Sequence, residues 1–110
     1  MFEMFLKLLI GHAFADFVFQ TEWIAKYKNR HRQSPPPPGQ KQQTVWPYIL
    51  TAHALVHGSF VWAITGNVWL GLAETFCHWI IDFGKCENWY GVHFDQSAHI
   101  FCKILWSLKA

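Results

Sequence analysis

The chain has 110 residues, of which 52% are hydrophobic and 15% charged, and its formal net charge is +2. This length provides one domain, residues 1–110, and excludes a scaffold with a separate substrate domain. Ten Phe and seven Trp, set against so few charges, would leave a surface that is difficult to keep in water. The composition therefore argues against a water-soluble monomer.

Four apolar segments are predicted to form helices, because no strand-like alternation is present. They run from about Met4 to Ala25, from Pro47 to Ile64, from Val68 to Phe83 and from Phe94 to Leu108. Pro47 suits the first turn of a helix, Gly84 suits a helix C-terminus, and Gly66-Asn67 suits a tight turn. The sequence predicts an all-α, antiparallel four-helix bundle with up-down-up-down connectivity.

The first connection, at about residues 26–46, is polar and basic and contains four consecutive prolines, which exclude a helix there. Its five cations and absent acids contrast with the uncharged turn at 65–67, so the positive-inside rule predicts a cytoplasmic loop. Trp and Tyr residues near the segment ends resemble the aromatic belts of membrane proteins. We therefore predict a polytopic membrane protein. Segments of about 15 to 20 residues are short for a perpendicular span, so a soluble or peripheral bundle is the alternative.

The main functional feature is a set of four pairs of His and Asp residues, each pair spaced by four positions. The pairs are His12/Asp16, His53/His57, His78/Asp82 and Asp95/His99. Four residues correspond to about one helical turn, so both members of a pair project from one face. Glu74 extends the third pair by a turn, and Gln20 extends the first. Counted from the cytoplasmic ends, the four helices present these groups at matching depths, which predicts one cluster inside the bundle.

A carboxylate in an apolar interior is normally paired, protonated or bound to a metal ion. Imidazole and carboxylate ligands together suit zinc, manganese or iron. The lack of thiolate ligands argues against a structural zinc site. Three Asp and one Glu carry four negative charges, which two divalent cations would balance. We therefore predict a site for one or two divalent ions, with the eight paired residues as ligands and Glu74 as a candidate general base.

Non-metal interpretations exist for several of these residues. Asp95 could cap the fourth helix, Glu74 could be a protonated or hydrogen-bonded core residue, and His53 with His57 could simply pack in the core. Gln20 suits hydrogen bonding between helices better than metal ligation. Lys103 is predicted to snorkel, with its ammonium group at the surface.

The motifs also resemble a known family. Gly11-His12-Ala13-Phe14-Ala15-Asp16-Phe17 with Gln20-Thr21, then His53 to His57, Glu74 to Lys85 and Asp95 to His99, are similar in order to the domain of unknown function 3307 family. The resemblance covers essentially the whole chain and implies an integral protein of the bacterial inner membrane, or of a phage. The chain is similar, more loosely, to membrane-bound metal-dependent hydrolase-like proteins. The proline-rich loop departs from the usual short connection.

Three functions remain open from the sequence. The first is a metal-dependent hydrolase acting at the membrane on a lipid-linked or phosphorylated substrate. The second is a metal-binding or ion-handling membrane protein that performs no chemistry. The third is a phage or bacterial accessory protein whose basic, proline-rich loop contacts anionic lipid or a protein partner. Nucleic-acid binding is not expected, because the basic run is short and lies beside the aromatic residues.

Overall fold

The computed structural model describes all 110 residues, which form five α-helices, one π-helical turn and no strand. The helices are α1 (Phe2–Ala13), α2 (Glu22–Tyr27), α3 (Trp46–Thr65), α4 (Val68–Cys86) and α5 (Val92–Lys109), and the π turn is Phe14–Val18. The all-α prediction is confirmed, and the second, third and fourth predicted segments correspond to α3, α4 and α5.

The four long helices form a ring in which α1 contacts α3 and α5, and α4 contacts the same two helices. Neighbouring helices are antiparallel. On α3, Trp46 packs near Phe83 of α4, whereas Gly58 lies against Gly71, which is earlier on α4. A Cβ at Gly58 would lie 2.6 Å from the Gly71 carbonyl oxygen, so glycine is what permits this close crossing. The antiparallel arrangement of the four long helices therefore agrees with the predicted bundle.

The prediction of a single first helix from Met4 to Ala25 is wrong. The α-helix ends at Ala13, and the N–H of Phe19 donates to the carbonyl of Phe14 at 2.9 Å, which is the wider spacing of a π turn. Thr21 then adopts an extended conformation, and its hydroxyl accepts from the N–H of Ile24 at 3.2 Å. This side-chain cap starts the separate short helix α2.

The predicted helix end at Gly84 is wrong, and so is the alternative interpretation of Asp95 as a helix cap. Gly84 lies inside α4, where the ring of Tyr90 packs over it and the Tyr90 hydroxyl donates to the carbonyl of Ile81. This contact folds the loop after α4 back on the helix, which continues to Cys86. Asp95 does not cap the last helix, which already begins at Val92 with Gly91 at its N-cap.

The interior of the bundle is more polar than its surface. Twelve polar or charged residues are buried, against eight hydrophobic ones, and the one apolar core cluster is Leu8, Val61 and Leu70 near the 65–67 turn. Large apolar side chains instead cover the outside. By length and composition, only α3 is apolar enough to cross a membrane, so hydropathy does not support four spanning helices.

Candidate metal centre

Asp16 organises the first half of the polar cluster. It lies in the π turn, and its Oδ1 is 3.1 Å from Nε2 of His57 and 3.3 Å from Nε2 of His53. Both histidines project from the same face of α3, because they are one turn apart. The second carboxylate oxygen of Asp16 is 3.6 Å from Nε2 of His12 on α1. One carboxylate therefore meets imidazoles from two helices.

Asp82 organises the second half, on α4. Its Oδ2 is 3.4 Å from Nε2 of both His53 and His78, and its Oδ1 is 3.2 Å from Nε2 of His99 on α5. Asp95, one turn before His99, places Oδ1 3.4 Å from the same ring nitrogen. Because His53 lies near both Asp16 and Asp82, the two halves form one continuous cluster.

The imidazole rings pack directly on one another. The centroids of His57 and His78 are 3.6 Å apart and those of His78 and His99 are 4.1 Å apart, with nearly parallel planes. His12 lies at the edge, 5.2 Å from His57. All five rings are buried and all four long helices contribute, so the cluster fills the centre of the bundle.

The donor atoms fall into two groups, in each of which all atoms lie within 4.8 Å of one another. The groups are Asp16, His53, His57 and His78, and His78, Asp82 and His99. His12 and Asp95 lie at the margins. The structure thus brings all eight predicted residues into one buried cluster, and their role as ligands stays a prediction.

Several buried atoms of the cluster have no hydrogen-bond partner. They include Nε2 of His53, both ring nitrogens of His78 and Oδ1 of Asp95. A buried polar atom left without a partner costs about 1–3 kcal/mol, and native proteins leave few of them. A divalent cation among these atoms would satisfy several at once. The donor set, imidazole and carboxylate without thiolate, suits zinc, manganese or iron.

Two lysines enter the cluster, which the sequence did not indicate. Lys28, one of the five cations of the basic loop, is buried, and its Nζ donates to Asp82 Oδ2 and to Gln20 Oε1, each at 2.7 Å. The snorkelling prediction for Lys103 is wrong, because its side chain is 1% exposed and its ammonium group bonds the Glu74 carboxylate. Burial of both cations is possible because each meets a carboxylate.

These lysines change the charge balance. The four buried carboxylates of Asp16, Glu74, Asp82 and Asp95 share the interior with two ammonium groups. With the histidines counted as neutral, as metal ligands are, two negative charges stay uncompensated. One divalent cation balances two charges, whereas the carboxylates alone would balance two such ions. With both lysines in place, the cluster therefore favours a single ion.

Glu74 lies behind His78 rather than among the other donor atoms. Its Oε2 is 3.7 Å from Nδ1 of His78, and its Oε1 accepts from Lys103 and, at 3.2 Å, from the indole N–H of Trp106. Both donors bind Oε1, whereas Oε2 has no hydrogen-bond partner and faces the ring of His78. The role of Glu74 as a general base stays a prediction.

Gln96 is a further cluster residue that the spacing of the His and Asp pairs does not include. Its amide nitrogen donates to Asp16 Oδ2 at 3.0 Å and to Asp95 Oδ2 at 3.2 Å, while its Oε1 lies 3.1 Å from Nε2 of His12. Its position three residues before His99 is a helical spacing that could have indicated it. Lys28 gave no such signal, because its position depends on how α2 folds back.

A family model described as protein of unknown function (DUF3307) matches residues 4–109, which is nearly the whole chain. The chain belongs to the DUF3307 family. No curated protein and no solved structure matches it. The family resemblance seen in the motifs is thus confirmed, and the looser likeness to hydrolases stays a prediction.

In this DUF3307 protein a basic cavity of about 190 Å³ lies in the proline-rich loop, apart from the buried cluster. It is lined by Arg30, Arg32, Trp46 and polar loop residues. Arg30 is fixed there by an ion pair with Glu87, which His31 also contacts at 2.7 Å. Hydrogen bonds from Arg30 and His31 hold the pKa of Glu87 below its ordinary value. The two arginines provide charge for binding an anion.

Proposed function

We propose that this protein is embedded in the bacterial inner membrane and binds one divalent transition-metal ion, zinc, manganese or iron, inside its helix bundle. The observation that carries the proposal is the convergence of His and Asp donors from all four long helices on one buried cluster with two uncompensated negative charges. The ion would complete the cluster by bonding ring nitrogens that have no other partner.

The distribution of polarity supports a membrane location. Large apolar side chains that are at least half exposed lie along the outer faces of α3, α4 and α5: Leu55, Trp62, Trp69, Leu72, Phe76, Phe101 and Leu108. Such a surface is costly in water and favourable against lipid. The polar cluster meanwhile faces inward, as ionisable groups in membrane helices do.

The lengths of three of the four long helices support the same location. α3, α4 and α5 have 20, 19 and 18 residues, which corresponds to about 27–30 Å at the α-helical rise. The hydrocarbon core of a bilayer is about 30 Å thick. The mean hydropathy of α4 and α5 is lowered by inward-facing acids and histidines, which do not meet lipid. The presence of these groups in α4 and α5 is why α3 alone is apolar enough by composition.

The closed cluster favours an ion-holding role. The six residues of the two donor groups are at most 9% exposed, and the main cavities of the protein are lined by other residues. An enclosed ion stabilises the bundle or passes along a chain of polar groups, and neither role needs a substrate to reach it. Metal binding without chemistry is therefore the function that the geometry supports best.

Hydrolysis of a lipid-linked or phosphorylated substrate is the second candidate. The basic cavity supports it, because Arg30 and Arg32 could hold a phosphate group at the cytoplasmic face and Lys28, a cluster residue, lies only two positions before Arg30. The same arginines suit contact with anionic lipid headgroups. Metal-dependent turnover of phosphate esters, lost in Arg32→Gln, would favour hydrolysis; no turnover leaves ion holding.

Elemental analysis tests the main proposal. The detergent-purified protein, prepared without chelators, is compared by inductively coupled plasma mass spectrometry with His53→Ala/His78→Ala. The matched control is His31→Ala/His93→Ala, which removes two histidines outside the cluster. We expect about one equivalent of metal in the wild type and the control, and none in the cluster variant. A folded wild type without metal would overturn the proposal.

The membrane location has a separate test. We expect the expressed protein to stay with the membrane fraction after washing with alkaline carbonate, since its apolar outer faces would be in lipid. Release of folded protein into the wash would contradict the location and leave metal binding intact.

A further inference from the structure

Lys28 occupies an unusual place, because a residue of the basic loop reaches into the interior of the bundle. Its Nζ bonds Asp82 Oδ2, and the same oxygen lies 3.4 Å from the ring nitrogens of His53 and His78. The ammonium group therefore shares its carboxylate oxygen with two histidine donors. A cation already stands at the donor group formed by His78, Asp82 and His99.

The other buried lysine, Lys103, does not occupy a donor atom of either group. Lys103 bonds Glu74, which belongs to neither donor group, and its remaining contact is the backbone carbonyl of His99 at 3.5 Å. Removing Lys103 would free no donor atom of the two groups. Lys28 is the buried lysine that competes with a metal ion for a ligand.

The chain before Lys28 is little buried, whereas the chain after it is held by the ion pair between Arg30 and Glu87. None of the six residues of α2 is buried, and Trp23 is half exposed. The ammonium group of Lys28 is held by its 2.7 Å bonds to Asp82 and Gln20. Rotation of this side chain towards the surface would break those two bonds and leave the pair between Arg30 and Glu87 in place.

We propose that Lys28 is a tethered cation that closes a second metal site, formed by His78, Asp82 and His99, and that it withdraws when a second divalent ion binds there. The inference rests on the proposed function, since the first ion would be held by Asp16, His53 and His57, while His78, which belongs to both donor groups, would bind the second ion. With Lys28 inserted, two negative charges are uncompensated and one ion balances them. With Lys28 withdrawn, three are uncompensated because Lys103 stays paired with Glu74, which is more than one ion balances. The carboxylate of Asp95, whose Oδ1 lies 3.4 Å from Nε2 of His99, then faces the second ion.

Metal stoichiometry tests the inference. Lys28→Met removes the ammonium group, and Lys28→Gln removes its charge while keeping a hydrogen-bond donor for Asp82. The matched control is Lys26→Met, which removes the same charge from an exposed position two residues away. We expect two equivalents of manganese or zinc in both Lys28 variants and one in the wild type and the control. One equivalent in a folded Lys28 variant would overturn the inference.

A measurement on the wild type needs no variant to fold. Lysines are acetylated with an amine-reactive reagent, and the modified positions are read by peptide mass spectrometry at one equivalent and at an excess of manganese. We expect labelling of Lys28 to rise with excess metal towards that of exposed Lys26, while buried Lys103 stays protected. Unchanged labelling of Lys28, or a parallel rise at Lys103 that reports general unfolding, would contradict withdrawal.

The two proposals fail in different ways. A wild type that binds no metal would remove the proposed function and this inference together. A wild type that binds one ion, beside Lys28 variants that also bind one, would remove only the second site.

Discussion

The ion pair between Glu74 and Lys103 makes a quantitative prediction about stability. Both side chains are at most 1% exposed, and each is the charge partner of the other. Glu74→Gln would leave the ammonium group of Lys103 buried without a carboxylate, and Lys103→Met would leave the carboxylate uncompensated. Breaking a buried pair on one side costs about 3–5 kcal/mol, because the remaining charge stays in a medium of low polarity.

The double variant should cost much less than the sum of the single ones. In Glu74→Gln/Lys103→Met no net charge is left, and the amide oxygen at position 74 can still accept from the indole N–H of Trp106, now at 3.2 Å. Replacing both partners of a buried pair is often nearly neutral. We expect a cost of about 1–2 kcal/mol, since the methionine occupies nearly the same volume as the lysine stem.

Equilibrium unfolding in mixed detergent micelles, followed by tryptophan fluorescence and far-ultraviolet circular dichroism, measures these free energies. Lys109→Met, an exposed lysine on the same helix, is the control and should change stability by no more than about 0.5 kcal/mol. If the free-energy changes of the two single variants add to within about 0.5 kcal/mol of the double variant, the pair is not coupled and the reasoning is refuted.

Three further predictions follow from the contacts. With the free ion at 100 times its dissociation constant, removing it with a chelator should lower the free energy of unfolding of the wild type by about 2.7 kcal/mol. The same treatment should hardly change the stability of Asp16→Asn. An equal loss of stability in both proteins would contradict ligation by Asp16. Gly58→Ala should destabilise the bundle by about 1–3 kcal/mol, measured by chemical unfolding, because its Cβ would lie 1.9 Å from a threonine hydroxyl of α4. An unchanged unfolding midpoint would mean that α3 and α4 can move apart at no cost and would contradict the close crossing. Bonds to Glu87 from Arg30 and His31 lower the pKa of its carboxyl group. Their contribution to loop stability is therefore present above pH 4.5 and is lost as the pH falls through the lowered pKa. If nuclear magnetic resonance shows that the Glu87 carboxyl titrates with an ordinary pKa, the pairing is excluded.

The four-residue spacing of His and Asp was enough to predict the residues of the candidate site. A His or Asp four residues from another one projects from the same face of a helix, and such a face must avoid lipid or pack inside. Applied to four segments, this rule was enough to predict that the eight residues meet. This rule did not predict the close approach of α3 and α4 at Gly58, because a glycine adds no polar or apolar side chain to the helical pattern.

The two buried lysines could not be predicted from the sequence, for one shared reason. Lys28 and Lys103 look like ordinary basic residues, and their burial depends on Asp82 and Glu74, which are 54 and 29 positions away along the chain. A lysine is buried only where a carboxylate is already fixed to meet it. No local pattern encodes such a pairing.

The sequence by itself determined three of the four long helices, the polar face of each and the chemical type of the cluster, since periodicity and side-chain chemistry are local properties. Only the tertiary structure decided the charge of the cluster and therefore the number of ions it favours. The π turn at Asp16 and the fold-back of α2 bring a carboxylate and an ammonium group to the bundle centre. Electrostatic balance depends on distances between residues far apart in the chain, which only the packed helices fix.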